Sequence, residues 1–128
     1  MSTPPPRVSA IVPTIALNDF GRRCLAALLT HEDVEVVLVP DERPEGLDPR
    51  VVCVPSGPAN TSVKRQLGLE ASSGAYIALI DDDALPDVGW PQAAVDILDG
   101  DPAIGAVAGP SLTPDDEPEL GQISFRLY

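Results

Sequence analysis

Short runs of apolar residues alternate along this chain with segments of helical periodicity. The apolar runs cover residues 8–12, 34–39, 51–54, 75–80 and 104–108. They are continuously apolar, which is typical of strands buried on both faces of a sheet. Strands that alternate with helices form a largely parallel sheet covered by those helices. The sequence therefore predicts an α/β fold with a mostly parallel sheet and helices on both of its faces.

Three helices are predicted between the apolar runs. Asn18 or Asp19 is expected to cap the first helix, Asn60 or Thr61 the second and Asp87 the third, since their side-chain oxygens accept N–H groups of a helix start. Apolar residues at helical spacing are expected to face the sheet. They are Phe20, Cys24, Leu25 and Leu28 in the first helix, Val63, Leu67 and Ala71 in the second, and Pro91, Ala94, Val95 and Leu98 in the third.

The charge balance limits which partners the chain can bind. The 128 residues carry 20 acidic and 8 basic side chains, which gives a formal charge of −12. Such a surface repels nucleic acid and anionic membranes, so we expect no nucleic-acid partner. It also repels a nucleotide diphosphate unless a divalent cation reverses the charge locally.

The amino terminus and the cysteines bear on the compartment. Residues 1–7 are a polar, proline-rich tail that is expected to be disordered and lacks the apolar segment of a signal peptide. No apolar run approaches the roughly 20 residues of a membrane helix. Cys24 and Cys53 match no metal or redox motif and are expected to be small core residues. These features predict a cytoplasmic protein with no membrane span in this chain.

Three adjacent aspartates, Asp81, Asp82 and Asp83, directly follow the apolar run at 75–80. Ligands of open α/β sheets bind at the carboxyl ends of the strands. Adjacent carboxylates repel one another unless a cation lies among them, and their oxygens suit Mg²⁺ or Mn²⁺. The triplet is therefore either a metal site or a solvated acidic loop.

Two further groups of charged residues lie at a helix start and a strand end. Lys64 and Arg65 begin the second predicted helix, where cations oppose the helix dipole. They either face a bound phosphate or form an ordinary exposed pair. Asp41 and Glu42 close the second strand, and they either hydrogen-bond a nucleoside or lie in a solvated loop.

Four segments, in order over residues 8–110, resemble family 2 glycosyltransferases. Residues 8–14, VSAIVPT, are similar to the family's VSVIIPT opening, and residues 64–71, KRQLGLEA, to its KRNLGIEA helix. Residues 73–84, SGAYIALIDDDA, resemble its strand and DXD motif, and residues 108–110, AGP, its GGP turn. Each segment alone is a weak signal, but the ordered set is fairly specific.

The resemblance implies a GT-A-like, Rossmann-related fold and a nucleotide-diphosphate-sugar donor of the UDP or GDP type. The expected reaction is an inverting, hexosyltransferase-type transfer to an acceptor that the sequence does not name. Asp83 is expected to bind Mn²⁺ or Mg²⁺, which acts as a Lewis acid on the leaving diphosphate. Asp82 is expected to point to the other face of the strand. The residues expected to bind the donor are Pro13, Thr14, Asp41, Lys64, Arg65, Asp81 and Asp82.

The sequence departs from the family at two positions. Pro40 replaces the aspartate that reads the base in the family's VDDGS segment, so base recognition is expected either to shift to Asp41 or to weaken. Gln66 replaces an asparagine. Residues 8–128 are expected to form an incomplete donor-binding domain, with the catalytic base beyond residue 128. We therefore expect this chain to bind donor but to transfer sugar negligibly.

The carboxyl-terminal residues carry two expectations. Asp115, Asp116 and Glu117 are the only other acids expected near the site, in a loop without obvious packing. The apolar side chains at the end are expected to leave uncovered surface that favours homo-oligomers. They are Ile123, Phe125, Leu127 and Tyr128.

Two alternatives stay open. A phosphohydrolase of the haloacid dehalogenase type also carries Asp-x-Asp at a strand end, but normally at the first strand. Here the triplet follows the fourth run. The other alternative is a non-catalytic module that binds nucleotide sugars. No G-x-G-x-x-G follows the first strand and no Walker motif is present, which argues against dinucleotide and P-loop sites.

Overall fold

The computed structural model describes residues 4–112, which form four strands and three helices. The strands and helices are β1 (Val8–Pro13), α1 (Asp19–Leu28), β2 (Val34–Val39), β3 (Val52–Cys53), α2 (Thr61–Ala71), β4 (Tyr76–Leu79) and α3 (Trp90–Gly100). The first four predicted strands are present, each within two residues of its expected ends.

The strands form one parallel sheet in the order β3-β2-β1-β4. β1 lies in the middle, with Val8 opposite Val34 of β2 and Tyr76 of β4. Each crossover between neighbouring parallel strands carries a helix or a long loop, as such connections require. The α/β expectation is confirmed.

Two apolar layers pack on opposite faces of the sheet, because successive strand side chains alternate between faces. Ala10 and Val12 pack on the face that carries α1. Ile11 packs on the other face with Leu67 and Ala71 of α2. Helices therefore cover both faces of the sheet, as predicted.

α1 and α2 start at the capping side chains that the sequence indicates. Oδ1 of Asn18 accepts from the N–H of Gly21 at 3.0 Å, and Oδ1 of Asn60 accepts from the N–H of Val63 at 2.9 Å. These bonds satisfy N–H groups that have no partner inside the helix. The predicted cap at Asp87 is wrong, because its side chain accepts from the N–H of Val88 at 2.9 Å, and Val88 lies two residues before α3 begins at Trp90.

Two predicted inward-facing side chains are on the surface. Phe20 is 60% exposed and Val63 is 45% exposed. The buried face of α1 starts at Gly21, and that of α2 holds Lys64 and Gly68. A Cβ at Gly68 would lie 2.4 Å from Cγ2 of Ile11. Because α2 lies this close to β1, the helix turns Lys64 and Gly68 toward the sheet and leaves Val63 on the surface.

The fifth predicted strand, at residues 104–108, is wrong. Within residues 4–112 that segment forms neither helix nor strand, and Ile104 and Val107 are 37% and 39% exposed. The N–H of Ile104 instead donates to the carbonyl of Asp101 at 3.0 Å in a turn. An apolar run forms a buried strand only where a neighbouring strand pairs with it and side chains cover it.

A hydrogen-bonded cluster joins three strands at their amino-terminal ends. Glu35 of β2 accepts from the hydroxyl of Ser9 at 2.7 Å and from the N–H and hydroxyl of Ser73 at 2.9 and 2.8 Å. The N–H of Gly74 donates to Oγ of Ser9 at 2.8 Å. Burial alone raises the pKa of Glu35, but the bonds from Ser73 and Ser9 outweigh it and lower that pKa. The cluster fixes where β4 begins.

The chain divides into two compact units, one ending at Val95 and the other beginning at Asp96. The first unit holds the whole sheet, α1, α2 and the start of α3. In the second unit, described as far as residue 112, α3 ends and the turn at Asp101 follows. Among the helices of the described residues, none is both long and apolar enough to cross a bilayer.

Both cysteines are free thiols. Cys24 is fully buried, as expected of a small core residue, whereas Cys53 is only half-buried. The cytoplasmic compartment stays a prediction.

Candidate functional site

The loops after β1, β2 and β4 meet at the carboxyl edge of the sheet. The N–H of Thr14 donates to the carbonyl of Val39 at 3.1 Å, and the N–H of Asp41 donates to the carbonyl of Ile15 at 3.2 Å. Parallel pairing continues past the end of β4, because the N–H of Ile80 donates to Ile11 at 3.0 Å. These bonds bring Thr14, Asp41 and the aspartate triplet to one edge, as the sequence predicts.

The middle aspartate of the triplet is tied to the end of β1. The hydroxyl of Thr14 donates to Oδ2 of Asp82 at 2.7 Å. Thr14 is only 4% exposed and Asp82 is half-buried. This bond turns the Asp82 side chain inward and anchors the turn after β4.

The first aspartate, Asp81, faces α2 and solvent. Its side chain is 69% exposed, and its Oδ1 lies 3.3 Å from Nη2 of Arg65. The N–H of Ala84 donates to the Asp81 carbonyl at 3.0 Å, which closes a turn around the triplet. Nε of Arg65 is a buried atom with no hydrogen-bond partner among the described residues. Part of the Arg65 guanidinium is therefore uncommitted.

The third aspartate, Asp83, is exposed. Within residues 4–112, no hydrogen bond or ion pair holds its carboxylate. The triplet is thus divided between an inward carboxylate, Asp82, and two outward ones, Asp81 and Asp83. Asp82 and Asp83 lie in the turn that the N–H of Ala84 closes on the Asp81 carbonyl, so the alternation of an extended strand does not set the relative direction of Asp81 and Asp83.

A buried cation lies beside the aspartate that follows β2. Nζ of Lys64 lies 2.6 Å from Oδ1 of Asp41 and 2.7 Å from Oγ of Ser56. Lys64 is only 2% exposed, whereas the Asp41 side chain is 24% exposed. The sequence offered an exposed pair or a phosphate-facing pair for Lys64 and Arg65. Lys64 fits neither alternative, because its ammonium group is enclosed and already paired.

Cys24 lies beneath the triplet. Its Sγ donates to the Asp81 carbonyl at 3.7 Å. Burial, followed by the negative charges of Asp82, Asp83 and Asp81, raises the pKa of the Cys24 thiol to about 11. The thiol is therefore protonated at neutral pH and serves as a weak donor rather than as a nucleophile or metal ligand.

The carboxylate oxygens at this edge suit a metal ion whose remaining ligands come from a bound substrate. No group of three or more His, Cys, Asp or Glu side chains within residues 4–112 is arranged to cage a metal. Mg²⁺ is usually held by one or two carboxylates together with substrate phosphates, so it needs no such cage. The exposed carboxylate of Asp83, which no described side chain engages, is one such ligand.

Sequence reasoning missed two contributors to the site. Ser56 and Cys24 each contact a predicted site residue, Lys64 and Asp81 respectively. Ser56 follows the third predicted strand, so its position at the same edge was the available signal.

Pro13 is buried as the last residue of β1. The acids Asp115, Asp116 and Glu117 lie outside the described residues.

Comparison with known proteins identifies the family of this chain. The sequence matches the family described as Glycosyl transferase family 2 over residues 9–126. The chain belongs to glycosyltransferase family 2. This assignment confirms the resemblance carried by the four segments, and it leaves the haloacid dehalogenase alternative without support.

Two curated relatives belong to bacteria. The chain is 31% identical over 90 residues to an uncharacterized glycosyltransferase, EpsJ, of Bacillus subtilis (strain 168), covering 61% of this chain and 26% of the relative. It is 26% identical over 89 residues to the glycosyltransferase GlyA of Streptococcus pneumoniae serotype 4 (strain ATCC BAA-334 / TIGR4), covering 60% of this chain and 13% of that protein. The chain thus matches about a quarter or less of the length of each relative.

Proposed function

We propose that this chain forms the donor-binding part of a metal-dependent, inverting glycosyltransferase of the hexosyltransferase type. The observation that carries the proposal is the division of the triplet, in which Thr14 fixes Asp82 while Asp81 and Asp83 face outward. The ligand is a nucleotide-diphosphate sugar of the UDP or GDP type. Family membership supports this class of donor.

In this proposal Asp83 holds Mn²⁺ or Mg²⁺, because its carboxylate is exposed and unengaged within residues 4–112. When bound, the metal supplies Lewis-acid stabilisation to the departing diphosphate. Asp81 accepts from a hydroxyl of the ribose or the sugar. Pro13 and Thr14 border the nucleoside at the end of β1.

Arg65 is the cation best placed for the diphosphate. Its side chain is 40% exposed, and its contact with Asp81 is 3.3 Å long. A planar guanidinium presents several donors to phosphate oxygens. The chain's charge of −12 opposes an anionic ligand, so Arg65 and the metal would together reverse the local sign.

A non-catalytic donor-binding module is the second candidate, and one observation favours it. Asp41 and Asp82 are each held by another side chain, and Asp81 and Asp83 are assigned to the donor and the metal. None of these four is left to deprotonate an acceptor. On these assignments, we propose that this chain alone transfers sugar negligibly.

The test combines binding with turnover for the full chain. Titration calorimetry with UDP and GDP, with Mn²⁺, with Mg²⁺ and with a chelator, measures whether binding depends on metal. Equal affinity in chelator would contradict the metal site. A donor-consumption assay with a broad acceptor mixture separates the two candidates, because turnover by the chain would exclude the non-catalytic module.

The remaining partners are also proposals. The acceptor is unassigned, and the compartment is proposed to be the cytoplasm. Self-association was expected from Ile123, Phe125, Leu127 and Tyr128, which lie outside the described residues. Sedimentation of the chain at several concentrations measures it directly.

A further inference from the structure

Lys64 is a buried cation that no step of the proposed function uses. It is 2% exposed and lies in the first turns of α2, where the helix dipole disfavours a positive charge. An enclosed ammonium group is costly unless it is paired and hydrogen-bonded. Asp41 and Ser56 supply that pairing at 2.6 and 2.7 Å.

The three residues join three successive segments of the chain. Asp41 belongs to the loop after β2, Ser56 to the loop after β3, and Lys64 to α2. The two loops are also bonded through their backbones, because Ser56 N–H donates to Pro40 and Gly57 N–H to Asp41, each at 2.9 Å. The backbone at Asp41 is therefore tied to the loop after β3, and its carboxylate is tied to α2 through Lys64.

One oxygen of Asp41 remains for a ligand. Lys64 engages Oδ1, and within residues 4–112 no further side chain holds the carboxylate. The Asp41 side chain keeps 24% of its surface exposed, while Lys64 behind it is enclosed. A ligand can reach Asp41 but not Lys64. A carboxylate is an acceptor, so the group that meets it must donate an N–H or O–H.

We propose that Lys64 is a positioning residue that fixes Asp41 as the hydrogen-bond acceptor for the nucleoside of the donor, and that Lys64 itself touches no ligand. This inference rests on the proposed function. The nucleoside group is either a base N–H, as in uracil and guanine, or a ribose hydroxyl. Lys64 and Arg65 then have different roles although they are adjacent, since Arg65 faces the diphosphate and Lys64 faces away from it.

The discriminating measurement compares a nucleoside with its diphosphate. If Lys64 acts through Asp41, Lys64→Met weakens the binding of uridine and of UDP by the same factor. We expect about tenfold, as for a lost charge-assisted hydrogen bond. If Lys64 contacts phosphate, the loss appears with UDP alone and shrinks at high salt. Calorimetry measures UDP, and ligand-observed NMR measures the weaker uridine.

Further variants test the link through Asp41. Asp41→Asn should weaken the binding of uridine and of UDP by a similar factor. The double variant Lys64→Met/Asp41→Asn should bind no more weakly than either single variant, because the effects of linked residues do not add. Ser56→Ala is the matched control, which removes one partner of Lys64 but keeps its pairing with Asp41, and it should lose about threefold or less. If Lys64→Met fails to fold, Lys64→Gln replaces it, because its amide keeps a donor toward Asp41, and it should weaken uridine and UDP binding by equal factors.

Two ligand comparisons identify the donated group. Cytidine lacks the N3–H of uridine, so loss of the Asp41→Asn effect with cytidine assigns the contact to that N–H of the base. Loss of that effect with 2′-deoxyuridine assigns it to the ribose.

The inference and the proposed function fail differently. Wild-type chain that binds no nucleoside diphosphate, with or without metal, overturns both. Wild-type chain that binds UDP, with a Lys64→Met variant that keeps full affinity for uridine, overturns the role of Lys64 alone.

Discussion

The hydroxyl of Thr14, at the end of β1, donates to the carboxylate of Asp82, after β4, at 2.7 Å. The two residues are 68 positions apart, and the bond spans neighbouring strands of the sheet. It draws one member of the triplet inward, so the outward carboxylates are separated by a fixed one. This bond therefore holds the acidic triplet in a defined conformation at the edge of the sheet.

Thr14→Val should destabilise the fold by about 1–2 kcal/mol, because it keeps the shape of the side chain but leaves Asp82 without its donor. Thr14→Ser retains a hydroxyl and should restore most of that stability. Urea unfolding measures both. If Thr14→Val and wild type unfold at the same urea concentration, the bond does not anchor the turn.

Asp83→Ala should reduce metal-linked nucleotide binding by more than about tenfold, because it removes the proposed ligand outright. Asp82→Asn keeps an acceptor for Thr14 and should cost far less. The measurement is calorimetry of UDP with Mn²⁺ against UDP with chelator. Equal losses in the two variants would contradict the different roles proposed for the two aspartates.

Arg65→Gln should weaken UDP about fivefold at low salt and less at high salt, since a partly exposed charge is screened. Uridine, which lacks phosphate, should be unaffected. Arg50→Gln is the control, because Arg50 is an exposed arginine paired with Asp48 rather than with the triplet. A loss that is the same for uridine and UDP would assign Arg65 to the nucleoside.

Glu35 predicts a loss of stability in acid. Its pKa is lowered in the folded chain below the ordinary value of 4.5, so its contribution is fully present above that value and disappears as pH falls through the folded pKa. Glu35→Gln should therefore cost about 1 kcal/mol at pH 7 and progressively less below pH 4.5. Urea unfolding from pH 7 to 3 measures the difference, with exposed Glu32→Gln as the control.

Gly74→Ala should destabilise the chain by about 1–3 kcal/mol. A Cβ there would lie 2.6 Å from the backbone nitrogen of Ser9, and backbone cannot yield as a side chain can. Gly89→Ala meets nothing within 4 Å and is the matched control. Thermal unfolding that shifts equally in both variants would show that the close packing of Gly74 against β1 is not limiting.

Local patterns in the sequence predicted most of this fold. The strand at 34–39 was predicted to the residue because apolar runs ended by proline are self-contained signals, and the caps at Asn18 and Asn60 need only nearby N–H groups. Phe20 was misplaced because helical spacing does not say where the sheet lies. The run at 104–108 failed because a strand also needs a partner.

The site was predictable as a set of strand ends but not as a set of contacts. The bond from Thr14 to Asp82 and the pairing of Lys64 with Asp41 join residues 68 and 23 positions apart. Nothing local marks such pairs, because each arises only when the parallel sheet brings loop ends together. The burial of Lys64 was therefore invisible in the sequence, where a charged residue at a helix start reads as exposed.

Lys64 is also the sole lysine of the chain. Its enclosure means that the folded protein presents no ε-amine to acylating or alkylating reagents. Modification at this position requires the loops after β2 and β3 to part from α2. The rate of that reaction, read by mass spectrometry, would measure how often this edge of the sheet opens.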